Sequence, residues 1–143
     1  MATLFKEQAR KAGLKIQLIK EPADGYWSNV WIKKPFCNGH WVARPTADMM
    51  LSVAYTSQSK WNESHLKNPR LDELVKTARA ELDQNKRREA YAECQRIIRD
   101  EGGTIVPCFK EYVEAASKKV QHGPISGLLE SDAHRAAERW WFA

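Results

Sequence analysis

The chain has 143 residues, which at roughly 150 residues per domain is one domain or a piece of one. Its 43% hydrophobic and 29% charged content lies near the soluble-domain averages of about 45–50% and 25%, which excludes a disordered tail and a membrane bundle. Lysine and arginine number 23 against 18 acids, a net charge of +5; that suits an acidic partner without demanding one. No apolar run reaches the roughly 18–20 residues that span a bilayer, and the opening MATLFKEQARKAG lacks the continuous apolar stretch of a secretory signal. Cys37, Cys94 and Cys108 are too few and too scattered for a disulfide framework or a CxxC metal site, so all three are expected reduced and unpaired. Six tryptophans in so short a chain are large aromatics that line recognition sites as well as cores.

In chain order, Thr3 is placed to cap a helix through about Ala12, with Leu4, Phe5, Ala9 and Ala12 at helical spacing and Gly13 as its stop. Leu14, Ile16 and Leu18 then alternate with Lys15 and Gln17, the pattern of a half-buried strand. Asp24 is placed to cap a short helix whose Tyr26/Val30 and Trp27/Trp31 pairs lie four apart on one face. Residues 36–42 read as a second strand; Pro45 breaks it, and Thr46 caps the helix ADMMLSVAY. The segment TSQSKWNESHLKN reads as a polar surface loop or linker.

Asn68 before Pro69 is a strong helix start, since the side chain caps orphan N–H groups and proline in the first turn costs no hydrogen bond. Leu71, Leu74, Val75, Ala78 and Leu82 form one apolar stripe. Asp83 starts a second helix whose Ala90, Tyr91, Cys94, Ile97 and Ile98 face inward, and Gly102–Gly103 ends it. Together these predict a helical hairpin at about 69–101. Beyond it, TIVPCF and EYVEAASKKV read as extended, with Pro107 confining the first to an edge or a strand end. Ser131 is placed to cap a final helix, DAHRAAERWWFA. The expected fold class is α/β, helices on a small sheet.

For chemistry, His40, His65, His122 and His134 show no spacing that sets two metal ligands on one helical face. No GxSxG elbow, phosphate-cradling glycine loop or Cys–His arrangement occurs. The reading is therefore no catalytic residues, no metal, no cofactor and no enzyme. The basic runs Lys33–Lys34, Lys86–Arg87–Arg88 and Lys118–Lys119 are dispersed among acids like solvated surface, so no nucleic-acid partner is expected. In an open α/β sheet ligands meet the loops at the carboxyl ends of strands. The best-placed polar and aromatic cluster is thus GHWVARPTAD at residues 39–48, and the candidate ligand-binding residues are His40, Trp41, Arg44 and Asp48.

The succession Trp41-x-x-Arg44-Pro45-x-x-Asp48, then Tyr55 and Trp61-Asn62-Glu63-Ser64, resembles the carboxyl-terminal part of the extracytoplasmic solute-binding proteins of ABC importers, the peptide/nickel-type family 5. The run NPRLDELVKTARAELDQNKRREAYAECQRIIRDEGGTIVPCF is similar to that family's Asn-Pro start, acidic residue before a leucine-rich helix, Asp-x-x-x-Arg linker and helix ending ahead of an Ile-Val-Pro strand. Arg139-Trp140-Trp141 resembles the usual end of such chains, and similarity is weaker over residues 1–36. The resemblance implies a single carboxyl-terminal lobe spanning 1–143, a fragment lacking the amino-terminal lobe that closes over the ligand. It further implies a periplasmic or extracytoplasmic protein that captures peptides or related small polar solutes and delivers them to ABC permease subunits in the membrane. Where peptide-binding members follow a tryptophan with an aspartate for the ligand's amino group, this chain has Arg44, whose guanidinium fork suits a carboxylate or phosphate. Arg44 can instead pair with Asp48 and only shape the loop. Trp41 is either a stacking wall or core. The alternative function is a small standalone basic interaction domain that binds acidic partners.

Overall fold

The computed structural model describes residues 1–143 and divides them into two compact units, 1–40 and 41–143. In the first, α1 (Ala2–Lys11) carries Arg10 and Lys11 in its last turn, where cations suit the carbonyl end of a helix. Gly13 follows at φ 84°. The helix begins one residue before the expected Thr3 cap; Met1 holds the N-cap position and no side chain caps it. The short helix α2 (Tyr26–Asn29) starts from Gly25 at φ 79° and not from Asp24. At that left-handed φ a side chain is strained, which favours glycine. Of the two expected pairs, Trp27 and Trp31 meet edge to face with centroids 5.4 Å apart. Tyr26 turns its hydroxyl to donate to the Asn38 carbonyl at 2.8 Å.

The expected strands at 14–20 and 36–42 do not form. Neither segment has a ladder partner, and Leu14, Leu18, Ile19 and Phe36 are exposed. Alternation states that a segment is able to pair; a strand exists only where a second backbone meets its N–H and C=O groups.

The second unit is built on helices whose starts follow the caps. The Thr46 hydroxyl accepts from the Met49 N–H at 3.2 Å and opens α3 (Ala47–Ala54). Asn68 Oδ1 accepts from the Leu71 N–H at 3.0 Å and opens α4 (Pro69–Ala80). Asp83 accepts from the Asn85 and Lys86 N–H groups and opens α5 (Gln84–Glu101). The Asn68 amide also donates to Glu101 Oε2 at 2.9 Å, tying the start of α4 to the end of α5. At Gly102 a Cβ would stand 2.3 Å from the Ile98 carbonyl oxygen, so the chain leaves α5 only through a glycine.

The expected hairpin is present, with Leu51, Leu71, Leu74, Val75 and Cys94 as its core and Tyr55, Leu66, Ala90, Tyr91, Ile97 and Ile98 packed against it. Leu74, Ala78 and Cys94 are buried as expected, while Tyr91 and Ile98 are half-buried. Leu82 is a correction. It is 90% exposed, because α4 stops at Ala80 and Glu81 and Asp83 are extended, which carries the side chain off the stripe. The polar segment 56–68 is a packed loop organised by Asn62. Its amide donates to the Leu66 carbonyl at 2.7 Å and the Thr56 carbonyl at 3.3 Å, and its oxygen accepts from Ser64 Oγ. The Ser57 N–H donates to Asp72 Oδ1 at 2.8 Å, fastening the loop to α4.

After α5 the chain runs without regular structure through 104–117, where Phe109 and Val113 are 93% and 90% exposed. The first ladder comes at β1 (Val120–His122), which pairs antiparallel with β2 (Trp140–Phe142), Gln121 opposite Trp141. The expected final helix is thus corrected. Glu130–His134 (α6) has Ser131, Asp132, Ala133 and His134 at φ between 52° and 63°, a left-handed turn; α7 (Ala136–Arg139) is one right-handed turn, and the aromatic run becomes a strand. Ser131 caps nothing; its N–H donates to Glu114. Consecutive left-handed L-residues cost roughly 1–2 kcal/mol each, so side-chain bonds must hold the turn. Asp132, only 2% exposed, accepts from the Ser126 N–H at 2.7 Å, Arg139 Nη1 at 2.8 Å and Trp140 Nε1 at 3.3 Å. Arg139 Nη2 also donates to the Pro124 carbonyl at 2.9 Å.

The fold is a mixed one: seven helical segments and one two-stranded antiparallel sheet. No helix is long and apolar enough to cross a membrane. All three cysteines are free, Cys94 buried, Cys37 half-buried and Cys108 exposed. Burial pushes the Cys94 thiol up from its ordinary value, and the Glu93 carboxylate adds to this. Under native conditions at pH 8 a thiol reagent should therefore modify Cys108 first and Cys94 last, at a rate that follows unfolding. Peptide mapping of the labelled chain checks the order; Cys94 reacting as fast as Cys108 would contradict the buried position.

Candidate functional site

Trp41, Arg44 and Asp48 lie in one stretch leading into α3, and the loop 56–68 holds it from the other side. The Trp41 indole N–H donates to Glu63 Oε1 at 3.0 Å, and its ring meets Trp61 with centroids 6.1 Å apart, tilted 53°. Arg44 Cζ lies 5.8 Å from the Trp41 ring centroid, within cation–π reach. Arg44 Nη1 also donates to the Val42 and Ala43 carbonyls at 2.9 and 3.4 Å, so the guanidinium is held over the indole by its own loop. Arg44 forms no ion pair with a carboxylate. The alternative that it pairs with Asp48 or a neighbouring acid does not hold.

Asp48 belongs to a different partner. It stands in the first turn of α3, where a carboxylate suits the N–H end of the helix, and both its oxygens accept from Arg79 Nε at 3.1 Å. Arg79 reaches it from the last turn of α4, and its Nη2 donates to Ser52 Oγ at 2.6 Å. The pair fastens α3 to α4. Its partners are 31 residues apart in the chain, which is why spacing within residues 39–48 did not reveal it. His40 is the exposed last residue of the first unit.

Two residues outside the 39–48 cluster matter to it. Glu63 accepts from the Trp41 indole N–H, and Tyr55, half-buried beside the core, feels the charge of the same carboxylate. Burial first and Glu63 second push the Tyr55 phenol up, which keeps it a neutral hydroxyl at pH 7. The Trp61-Asn62-Glu63-Ser64 run carried the signal for Glu63; its contact with Trp41 depends on how Asn62 folds the loop.

The arrangement is an indole with a guanidinium over its face and a carboxylate at its N–H. No group of three or more His, Cys, Asp or Glu side chains is placed to hold a metal ion. A shallow hollow of about 520 Å³ at the end of α4 sets Glu73 and Glu81 against Lys76 and lies away from these residues. No family model, curated protein or solved structure matches the chain.

Proposed function

We propose that this chain is the carboxyl-terminal lobe of an ABC-importer solute-binding protein of the peptide/nickel type, with Trp41 and Arg44 facing the solute. The observation that carries the reading is Arg44: a guanidinium over an indole, within cation–π reach and free of any carboxylate partner. A planar fork held in that way suits an anionic group, carboxylate or phosphate, while the indole supplies apolar area to a stacked side chain or backbone. The hairpin of α4 and α5, opened by Asn68-Pro69 and linked by Asp83-x-x-x-Arg87, supports the family assignment on which the rest stands. On this reading the protein is extracytoplasmic, catalyses nothing, and works with an amino-terminal lobe and membrane permease subunits.

Two-lobe sites bury a ligand from both sides, and most polar partners arrive on closure. The 143-residue chain alone is therefore expected to bind short peptides only weakly. In the two-lobe protein, Arg44→Ala should weaken binding of an anionic solute by about 2–5 kcal/mol, because the ligand's charge is left desolvated and unpaired. Titration calorimetry measures both. Unchanged affinity in Arg44→Ala and in Trp41→Ala would remove this loop from the site, and tight peptide binding by the 143-residue chain would overturn the lobe reading.

A further inference from the structure

A second concavity lies where the first turn of α3 faces the hairpin. It is about 390 Å³, and its charged lining is Asp48, Arg79, Arg87 and Arg88, with Tyr91 and Thr46 between them. It uses neither Trp41 nor Arg44, and the basic run at 86–88 by itself reads only as solvated surface. We propose that this groove binds a small solute through a phosphoryl group, with Arg87 and Arg88 as the cations that hold it.

Charge comes first. Asp48 is the one acid on the lining, and Arg79 Nε answers both of its oxygens. Arg87 and Arg88 have no ion-pair partner, so the groove keeps two positive charges that nothing in the chain compensates. Placement comes second. Arg87, Arg88 and Tyr91 follow Gln84 at three, four and seven residues along α5, one face of the helix, and that face looks onto the start of α3. Arg87 and Tyr91 are half-buried, so their attraction for an anion is screened less than that of an arginine standing free in water. The Tyr91 phenol is pushed up by burial and then by Asp48, against Arg87 and Arg79, and stays a neutral donor at pH 7. The Thr46 oxygen is occupied by the Met49 N–H, which leaves its hydroxyl proton to donate.

The ligand class follows from these donors. Two guanidinium forks and two hydroxyls around one hollow ask for an acceptor with several oxygens and close to two negative charges. A phosphoryl group has both, whereas a single carboxylate offers two oxygens and one charge. The volume is at the small end of ligand pockets, roughly 300–1,000 Å³, and fits a compact phosphate monoester.

The probe is inorganic phosphate, titrated into the 143-residue chain at low ionic strength and pH 8 by calorimetry, with acetate as the comparison anion. Saturable one-to-one binding of phosphate is expected, with acetate weaker by about tenfold or more. R87Q/R88Q should lose about tenfold or more in phosphate affinity while keeping the circular dichroism and melting of the parent, since neither side chain is in the core. D48N should tighten phosphate binding several-fold, because it removes the carboxylate that occupies Arg79. No saturable heat up to about 10 mM phosphate, equal binding of acetate, or unchanged affinity in R87Q/R88Q would each overturn the proposal. These outcomes are separate from the peptide titrations, because R87Q/R88Q leaves the Trp41–Arg44 loop intact.

Discussion

Leu71→Ala should lower the stability of the unit 41–143 by about 2–5 kcal/mol, the range for truncating a fully enclosed leucine whose surroundings relax only in part. Leu71 is completely buried and sits in the cluster of Leu51, Leu74, Val75 and Cys94, where α3, α4 and α5 converge. Its backbone N–H donates to the Asn68 cap, which holds the residue in place at the first turn of α4. The side chain therefore cannot be replaced by a sliding helix, and a cavity remains. Against a total stability of about 5–15 kcal/mol for a typical domain, this is a large fraction. The matched control is Leu82→Ala, which removes the same atoms from a side chain 90% exposed and should change stability by no more than about 0.5 kcal/mol. Urea unfolding followed by tryptophan fluorescence compares the two; equal midpoints would mean that the hairpin core is not where the stability resides.

Asp132→Asn should release the strand pair β1–β2 while leaving the α4–α5 hairpin folded. The carboxylate presents acceptors on both sides: Oδ1 to the Ser126 N–H and Arg139, Oδ2 to the Trp140 indole N–H. An asparagine amide offers one acceptor and one NH₂, so one of these donors must face another donor, and Arg139 loses its counter-charge. The same bonds hold Ser131–His134 left-handed, a conformation that L-residues do not keep unaided. Amide exchange at Val120–His122 and Trp140–Phe142 should accelerate in the variant, with α5 unchanged. A ladder equally protected in Asp132→Asn would show that the carboxylate does not hold it.

Acid should do to the wild type what the substitution does. The Ser126 N–H first, then Arg139 and Trp140, hold the Asp132 carboxyl below its ordinary value. A group whose folded pKa is depressed contributes stability that is fully present above its unfolded pKa, about 3.9, and is lost as pH falls through the folded one. The wild-type ladder is therefore expected to stay protected down to about pH 4 and to open below it, while Asp132→Asn lacks this acid step.

What was legible in the amino-acid sequence was local, and only where the fold used it: Thr3, Asp24 and Ser131 cap nothing. The starts of α3, α4 and α5 follow from Thr46, Asn68 and Asp83, because an N-cap needs one side-chain oxygen and an N–H two or three residues along, all within one turn. The stripe from Leu71 to Ala78 likewise declares its buried face through spacing. The same reasoning overran at Leu82, where the apolar period continues past the point at which the backbone becomes extended. It failed for strands. Leu14–Leu18 alternates and stays unpaired, while Trp140–Phe142, read as helix, pairs with a segment twenty residues earlier. The candidate site divides in the same way. Trp41 and Arg44 stand three positions apart in one loop and meet there, so the cluster at 39–48 contained both. Asp48 finds Arg79, Trp41 finds Glu63, and Asp132 gathers Ser126, Arg139 and Trp140 across the fold. The sequence by itself determined where the principal helices begin and which of their faces are apolar, because caps and periodicity are settled by neighbours within a turn or two. Tertiary structure alone decided which strands exist and which partner neutralises Asp48 at the candidate site. A ladder, and ion pairs such as Arg79–Asp48 and Arg70–Glu93, require a partner brought from elsewhere in the chain, and no local pattern specifies which partner arrives.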